Sequence, residues 1–270
     1  MLMTNIKTRD GQKLYIKDWG TGKPVILMHG WPLSADSWDE GAMAIADAGF
    51  RAISYDRRGF GRSSQPFGGY DYDTLSDDLA AVIQETGASD VSLVAFSMAG
   101  GEVARYMSRH KGKNVSKAVL ISSVIPYMLK TADNPDGVDE SVFAKMTAGM
   151  KKDRAHFFGG FFKDFYGNKV SDEVLETSLK IAMEASFKAT LECANSFATT
   201  DFRSDLAAFS VPTLIIHGTA DKTVPIDPTG RAAAKGIKNA KLIEYKGSPH
   251  GLFETDKDRL VADLLEFLKS

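Results

Sequence analysis

Val91-Ser-Leu-Val-Ala-Phe96-Ser97-Met98-Ala99-Gly100-Gly101 is the most informative stretch of this chain. A β-rich apolar run leads into a serine with small neighbours, and two glycines then open a helical pattern. Such a strand–serine–helix junction has the context of a nucleophile elbow, a sharp turn that lifts a hydroxyl above the edge of a sheet. Small residues are needed two places before and two places after the serine, because strand and helix nearly touch there. The letters here are Ala-x-Ser-x-Ala, a relaxed form of Gly-x-Ser-x-Gly, and they are not specific. Ala194-Asn195-Ser196-Phe197-Ala198 matches equally well. Ser196, however, lies inside a helical pattern with no strand before it, whereas Ser97 follows a β run. A structural turn serine is the alternative for Ser97, and the rest of the chain has to decide.

Outward from this junction, short β-rich runs alternate with helical patterns. Strands are expected at Asn5–Thr8, Lys13–Trp19, Pro24–Met28, Arg51–Tyr55, Val91–Phe96, Lys117–Ile121, Pro212–Ile216 and Lys241–Tyr245. The first two face each other across Asp10-Gly11, a hairpin signal. Helices are expected at Ser37–Ala48, Thr74–Thr86, Ala99–His110, Thr229–Gly236 and Arg259–Lys269. Continuous apolar strands separated by helices predict a mostly parallel α/β sheet covered on both faces. Between residues 125 and 208 the alternation stops. That segment reads as helices near Glu140–Lys152, Arg154–Tyr166 and Asp172–Phe197, rich in Phe and Met. The expected organisation is a core formed by 1–124 and 209–270, with 125–208 inserted as a helical cap. The aromatic residues of the insertion suit helix packing, or a lid whose underside lines a pocket.

Composition excludes several classes. Of 270 residues, 43% are hydrophobic and 25% charged, which is ordinary globular usage. Lys plus Arg number 33 against 35 Asp plus Glu, a net charge of −2, which argues against nucleic-acid binding and a polybasic membrane surface. The single Cys193 supplies neither an internal disulfide nor a cysteine metal cluster. The start of the chain has no apolar signal region and no stretch is long and apolar enough to span a bilayer, so the expectation is a cytoplasmic protein. Asp71, Asp73, Asp77 and Asp78 look like a metal cluster, but they fall near a helix start, where acids suit the dipole. Gly59-Phe60-Gly61-Arg62-Ser63 looks like a phosphate loop, but it lacks the spacing and the Lys of one. No metal and no cofactor is expected.

A serine hydroxyl needs a base. Five histidines are available. His110 sits in a basic helix end, His156 in the insertion, and His29 and His217 at strand ends before a glycine. His250, after Ser248-Pro249, lies in the loop between the last strand and the last helix, where open α/β sheets place their sites. The base in turn needs a carboxylate. Asp221 follows the strand Pro212–Ile216, whereas Ser122-Ser123-Val124, after the preceding strand, offers none. The chain order is then Ser97, Asp221, His250, which is that of the α/β-hydrolases. An oxyanion would need two N–H donors. Met98 and, from the loop His29-Gly30-Trp31-Pro32, Trp31 are the candidates, with His29 shaping the loop.

These residues resemble the α/β-hydrolase superfamily. Lys17-Asp18-Trp19-Gly20, His29-Gly30-Trp31-Pro32-Leu33, Tyr55-Asp56-Arg57-Arg58-Gly59-Phe60-Gly61-Arg62-Ser63, Phe96-Ser97-Met98, Gly101-Glu102-Val103-Ala104-Arg105-Tyr106 and Thr200-Asp201-Phe202-Arg203 are similar to the bacterial cofactor-free (non-haem) haloperoxidases, a group with arylesterases and perhydrolases. The resemblance implies an acyl-serine formed from a small ester or carboxylic acid, completed by water as hydrolysis or by hydrogen peroxide as peracid formation, with no metal, haem or flavin. It implies a homo-oligomer. By carry-over, Phe161, Phe165, Phe197 and Val224 line the acyl pocket, with Met128 and Met146 nearby; helix-core packing accounts for the same residues. Pro32 resembles the haloperoxidase version of the oxyanion loop and is expected to shift a backbone carbonyl in favour of peroxide. Ala95 and Ala99 depart from the more usual glycines.

Two alternatives stay open. A γ-lactam amidase or a lactonase would use the same three residues and differ in pocket shape. A non-catalytic module of the same fold, binding a small ligand or partner, would not need them intact. Dehalogenases and epoxide hydrolases of this fold carry Asp at the nucleophile position, where this chain has Ser97.

Overall fold

The computed structural model describes residues 4–270. Met1–Met3, at the head of the expected core, lie outside the described residues. Among the described residues, eight strands form one sheet: β1 (Asn5–Lys7), β2 (Lys13–Gly20), β3 (Pro24–Met28), β4 (Arg51–Tyr55), β5 (Val91–Phe96), β6 (Val115–Ile121), β7 (Thr213–Gly218) and β8 (Ala240–Tyr245). Their spatial order is β1-β2-β4-β3-β5-β6-β7-β8. The β1–β2 and β2–β4 pairs are antiparallel, and all others are parallel. The fold is that of an α/β hydrolase. β3 and β5 are buried at every residue, as central strands covered on both faces must be.

The helices that cover the sheet are α1 (Asp39–Asp47), α2 (Tyr72–Glu85), α3 (Ala99–Arg109), α8 (Ala232–Gly236), α9 (Leu252–Thr255) and α10 (Lys257–Lys269). α1 starts later than its periodicity suggests, because Ala35–Trp38 forms a 3₁₀ turn capped by Ser34. α8 is likewise short, preceded by a wide turn at Asp227–Arg231. The hairpin between β1 and β2 forms as expected, with Gly11 at φ 86°, where glycine carries no steric cost.

Between β6 and β7 lie α4 (Glu140–Lys152), α5 (Arg154–Phe165), α6 (Asp172–Glu184) and α7 (Phe187–Thr199). The single helix expected over Asp172–Phe197 is therefore two. The chain leaves α6 at Ala185 in an extended conformation, and the Ser186 side chain accepts a hydrogen bond from the Ala189 N–H to start α7. Three contacts fix the break. Arg154 Nη2 donates to the carbonyls of Ala182 and Ala185 at 2.6 and 2.8 Å, which satisfies the end of α6. The Ser186 N–H donates to Gly59 O at 2.7 Å. All three are tertiary contacts that helical periodicity does not encode.

The glycine-rich loop after β4 does hold an anion, but it is the protein's own. Asp56 accepts from the N–H groups of Ala35 and Arg62, both at 2.8 Å, and from Arg62 Nε at 2.8 Å. A Cβ on Gly61 would stand 2.3 Å from the Asp56 carboxylate. The four aspartates around α2 are also individually engaged. Asp71 caps the helix through the Thr74 N–H, Asp73 pairs with Arg105, Asp77 with Arg109 and His110, and Asp78 with Arg58.

Candidate active site

Ser97 directly follows β5, at φ 57°, a left-handed conformation that a non-glycine residue adopts only when its surroundings impose it. The strain is held by backbone bonds on both sides. The Ser97 N–H donates to Ile121 O at 2.8 Å, and Ser97 O accepts from Gly100 and Val124. α3 can start this close to β5 because Gly100 and Gly101 lack side chains. A Cβ on Gly100 would meet Ser123 Oγ at 1.8 Å, and one on Gly101 would meet Tyr72 at 2.4 Å. Ala95 and Ala99, where glycine is more usual, are both fully buried in this turn.

The two other residues of the expected triad meet Ser97 from separate loops. His250 Nε2 is 2.9 Å from Ser97 Oγ, and His250 Nδ1 is 2.6 Å from Asp221 Oδ2. With Nδ1 protonated toward the carboxylate, Nε2 presents a lone pair to the hydroxyl, the tautomer a general base needs. The rings of Phe96 and Phe165 pack against the His250 ring at 4.9 and 4.8 Å between centroids and hold it in place. Asp221 is deeply buried, and its other oxygen accepts from the N–H groups of Thr223 and Val224 at 2.9 and 2.8 Å. Burial alone would push this carboxyl up. The neighbouring His250, with hydrogen bonds from His217 and His250, outweighs burial and holds it well below the usual carboxylate range.

His217 is a residue that sequence reasoning passed over as a strand-end histidine. β7 runs two residues further than expected, to Gly218, which makes His217 part of the strand. Its Nε2 is 2.9 Å from Val224 O and 3.3 Å from Asp221 Oδ2. The signal for it was present: His217 and Asp221 are four residues apart across a tight Gly-containing turn.

The loop His29–Pro32 passes directly beside Ser97. A Cβ on Gly30 would lie 2.6 Å from the Phe96 ring and 3.0 Å from Ser97 Cβ, so only glycine permits this approach. Among the described residues, neither the Met98 nor the Trp31 N–H donates to another protein group. His29 Nε2 accepts from the Arg57 N–H at 3.0 Å, and Nδ1 lies 2.9 Å from Gly30 O. Burial, then the Arg57 charge, holds the His29 imidazole well below the usual histidine range, so it stays neutral and shapes the loop. Arg57 also donates to His29 O at 2.7 Å and to Glu102, on α3, at 2.5 Å. This buried pair ties the loop to the helix that follows Ser97.

Above Ser97 lies a cavity of about 460 Å³. Of the expected pocket residues, Phe161, Phe197, Val224 and Met146 line it, together with Trp31. Phe165 and Met128 are not among its lining residues. Phe165 is fully buried behind His250, and Met128 is buried in the core. Trp31 is caged by Phe158, Phe161 and Phe197 at 5.4, 5.4 and 5.6 Å, and its Nε1–H donates to Thr190 O on α7 at 3.0 Å.

Comparison with known proteins gives the family. The sequence profile described as the alpha/beta hydrolase fold matches residues 23–257. A non-heme chloroperoxidase of Kitasatospora aureofaciens is 43% identical over 97% of this chain and 98% of its own length. A bifunctional esterase/perhydrolase of Acinetobacter calcoaceticus is 41% identical over 99% of this chain and all of its own. The crystal structure of a bromoperoxidase from Bacillus anthracis superposes with a TM-score of 0.95 at 42% identity, covering 98% of this chain and 100% of that one. No helix among the described residues is long and apolar enough to cross a membrane. Taken with the sheet order and the serine at the end of β5, these relationships place the chain in the non-haem haloperoxidase and esterase group of the α/β-hydrolase family.

Proposed function

We propose that this protein is a serine esterase that passes its acyl group to water or to hydrogen peroxide. The observation that carries the reading is the His250 imidazole standing between Ser97 and Asp221 at 2.9 and 2.6 Å. Ser97 Oγ attacks the ester carbonyl while its proton moves to His250 Nε2. The imidazolium so formed is stabilised by Asp221. The carbonyl oxygen becomes an oxyanion that the N–H groups of Met98 and Trp31 receive, each donor worth about 10²–10³ in kcat. His250 returns the proton to the departing alcohol, which leaves an acyl-serine. Water, deprotonated by His250, then releases the carboxylic acid; hydrogen peroxide releases the peracid instead. Both routes return Ser97 and His250 to their starting state.

The cavity supports a small ester or carboxylic acid whose carbon skeleton is apolar, because Trp31, Phe161, Phe197 and Val224 surround it. A homo-oligomeric, cytoplasmic protein is part of the same reading; the oligomer rests on the family resemblance, and light scattering in solution tests it. A module that only binds ligand gains nothing from this three-residue alignment. The test is p-nitrophenyl acetate turnover by wild type and Ser97→Ala, with and without hydrogen peroxide, and with peracid measured directly. Turnover and peracid from wild type alone support the reading. Equal turnover by both proteins ends it.

A further inference from the structure

We propose that Phe143 and Met146 act as a length gate, closing the catalytic cavity on its α4 side and separating it from a second subsite that takes the tail of a long aliphatic acyl chain. The inference deepens the esterase reading and rests on it. Beside the cavity above Ser97 lies a second depression of about 410 Å³, between α4 and α7. Phe143 and Met146 line both spaces. They are three residues apart on α4 and therefore share one face of it.

The chemistry of the two linings points to an aliphatic occupant. The charged or ionisable lining of the catalytic cavity, His156, Asp164 and Lys222, comes from α5 and the loop after β7 and is exposed. The α4 contribution is Val142, Phe143 and Met146. An alkyl tail leaving the scissile carbonyl is therefore driven from water toward α4. Beyond the gate, Leu129, Ala144, Ala148, Ala194 and Ala198 form the apolar half of the lining, and Glu140, Thr147, Lys151, Asn195 and Thr199 form the polar half.

The gate is built to give way. α4 buries only Met150, whereas α5 buries Phe158, Phe162 and Phe165. Phe143 and Met146 are themselves only half-buried. Met146 is unbranched with a soft thioether, which adapts to irregular neighbours. The Phe143 ring rests on Phe197 at 6.5 Å between centroids, and Phe197 rests on Trp31, so the gate touches the wall of the reaction site.

The test compares kcat/KM for p-nitrophenyl butyrate and decanoate in wild type, Met146→Ala, Phe143→Ala/Met146→Ala, and that pair with Ala148→Trp, which fills the second depression. Each methylene newly taken out of water is worth about a factor of four. The decanoate-to-butyrate ratio should rise at least tenfold in the double variant, rise less in Met146→Ala, and fall back when Ala148→Trp is added. The Kd of sodium decanoate, by calorimetry, should follow the same order without any turnover. An unchanged ratio in the double variant overturns the gate, as does a gain that survives Ala148→Trp. The esterase reading fails by a different result, turnover of butyrate that persists in Ser97→Ala.

Discussion

Ser97 and Ser196 stand in the same frame, alanine two before and two after, yet the fold gives them opposite situations. Ser97 follows a strand, at φ 57°, and faces His250. Ser196 lies within α7, and its hydroxyl donates to Tyr70 O at 2.8 Å. One is held in an unfavourable backbone conformation with an imidazole beside it. The other sits in relaxed helix with its hydrogen bond already spent on a main-chain carbonyl. The five letters are compatible with both. What separates them is the element before the serine and the glycines after it, because only a strand that stops at a sheet edge, followed by a helix free to approach, can force the turn.

The contrast breaks first at the serines themselves. Ser97→Ala should lower kcat by roughly four to six orders of magnitude, as loss of the nucleophile does in serine proteases. Ser196→Ala should leave kcat within twofold. Initial rates with p-nitrophenyl acetate compare the two directly, and comparable losses would erase the distinction.

The next effect concerns the carboxylate that Ser196 lacks. Asp221→Asn should lower kcat by about 10⁴ through the wrong His250 tautomer. It should also alter acid stability. The folded value of this carboxyl is depressed, so its stabilisation is fully present above the unfolded value near about 3.9 and is lost as pH falls through the folded value. The wild-type Tm should therefore drop below pH 4 more steeply than that of Asp221→Asn.

A smaller effect is expected at His217, which sharpens what surrounds the nucleophile. His217→Leu removes a donor near Asp221 and should cost roughly tenfold in kcat, about 1.4 kcal/mol, with KM within twofold. His217→Gln, which can place an N–H near Nε2, should recover most of it. Loss of Tm without loss of kcat would make His217 a packing residue only.

The smallest effect lies in the flanking alanines. Ala194→Gly, inside α7, should destabilise the protein by about 1 kcal/mol, a Tm shift of about 2–4 °C. Ala99→Gly, at the first position of α3, should cost less and change kcat by no more than a few-fold. Calorimetric Tm and kcat for each variant make the comparison.

The sheet was legible because short β-rich runs such as Pro24–Met28 and Val91–Phe96 alternate with helical patterns, and because the order Ser97, Asp221, His250 has few alternatives among five histidines. Tertiary contacts were not legible. The break at Ala185-Ser186 depends on Arg154 and Gly59, which lie far away in the chain. The position of Phe165 behind His250, rather than in the cavity, depends on which side of α5 faces the core. Phe161, Phe162 and Phe165 all read alike in an aromatic-rich helix, and burial alone separates them: Phe162 and Phe165 are buried, while Phe161 is partly open to the cavity. His217 does not stand out in the sequence because a serine needs a single base, and its place beside Asp221 is that of a neighbour to the acid.

The hydrogen bond from Trp31 to Thr190 gives the molecule an optical property. Of three tryptophans, Trp31 alone joins the loop beside Ser97 to α7, inside a cage of phenylalanines. An indole so shielded emits in the blue, and any loosening of α7 that admits water moves the emission toward red. With Trp19 and Trp38 replaced by phenylalanine, the remaining fluorescence becomes a built-in gauge of how tightly the helices above the sheet are seated at each instant, read without labelling the protein or adding substrate.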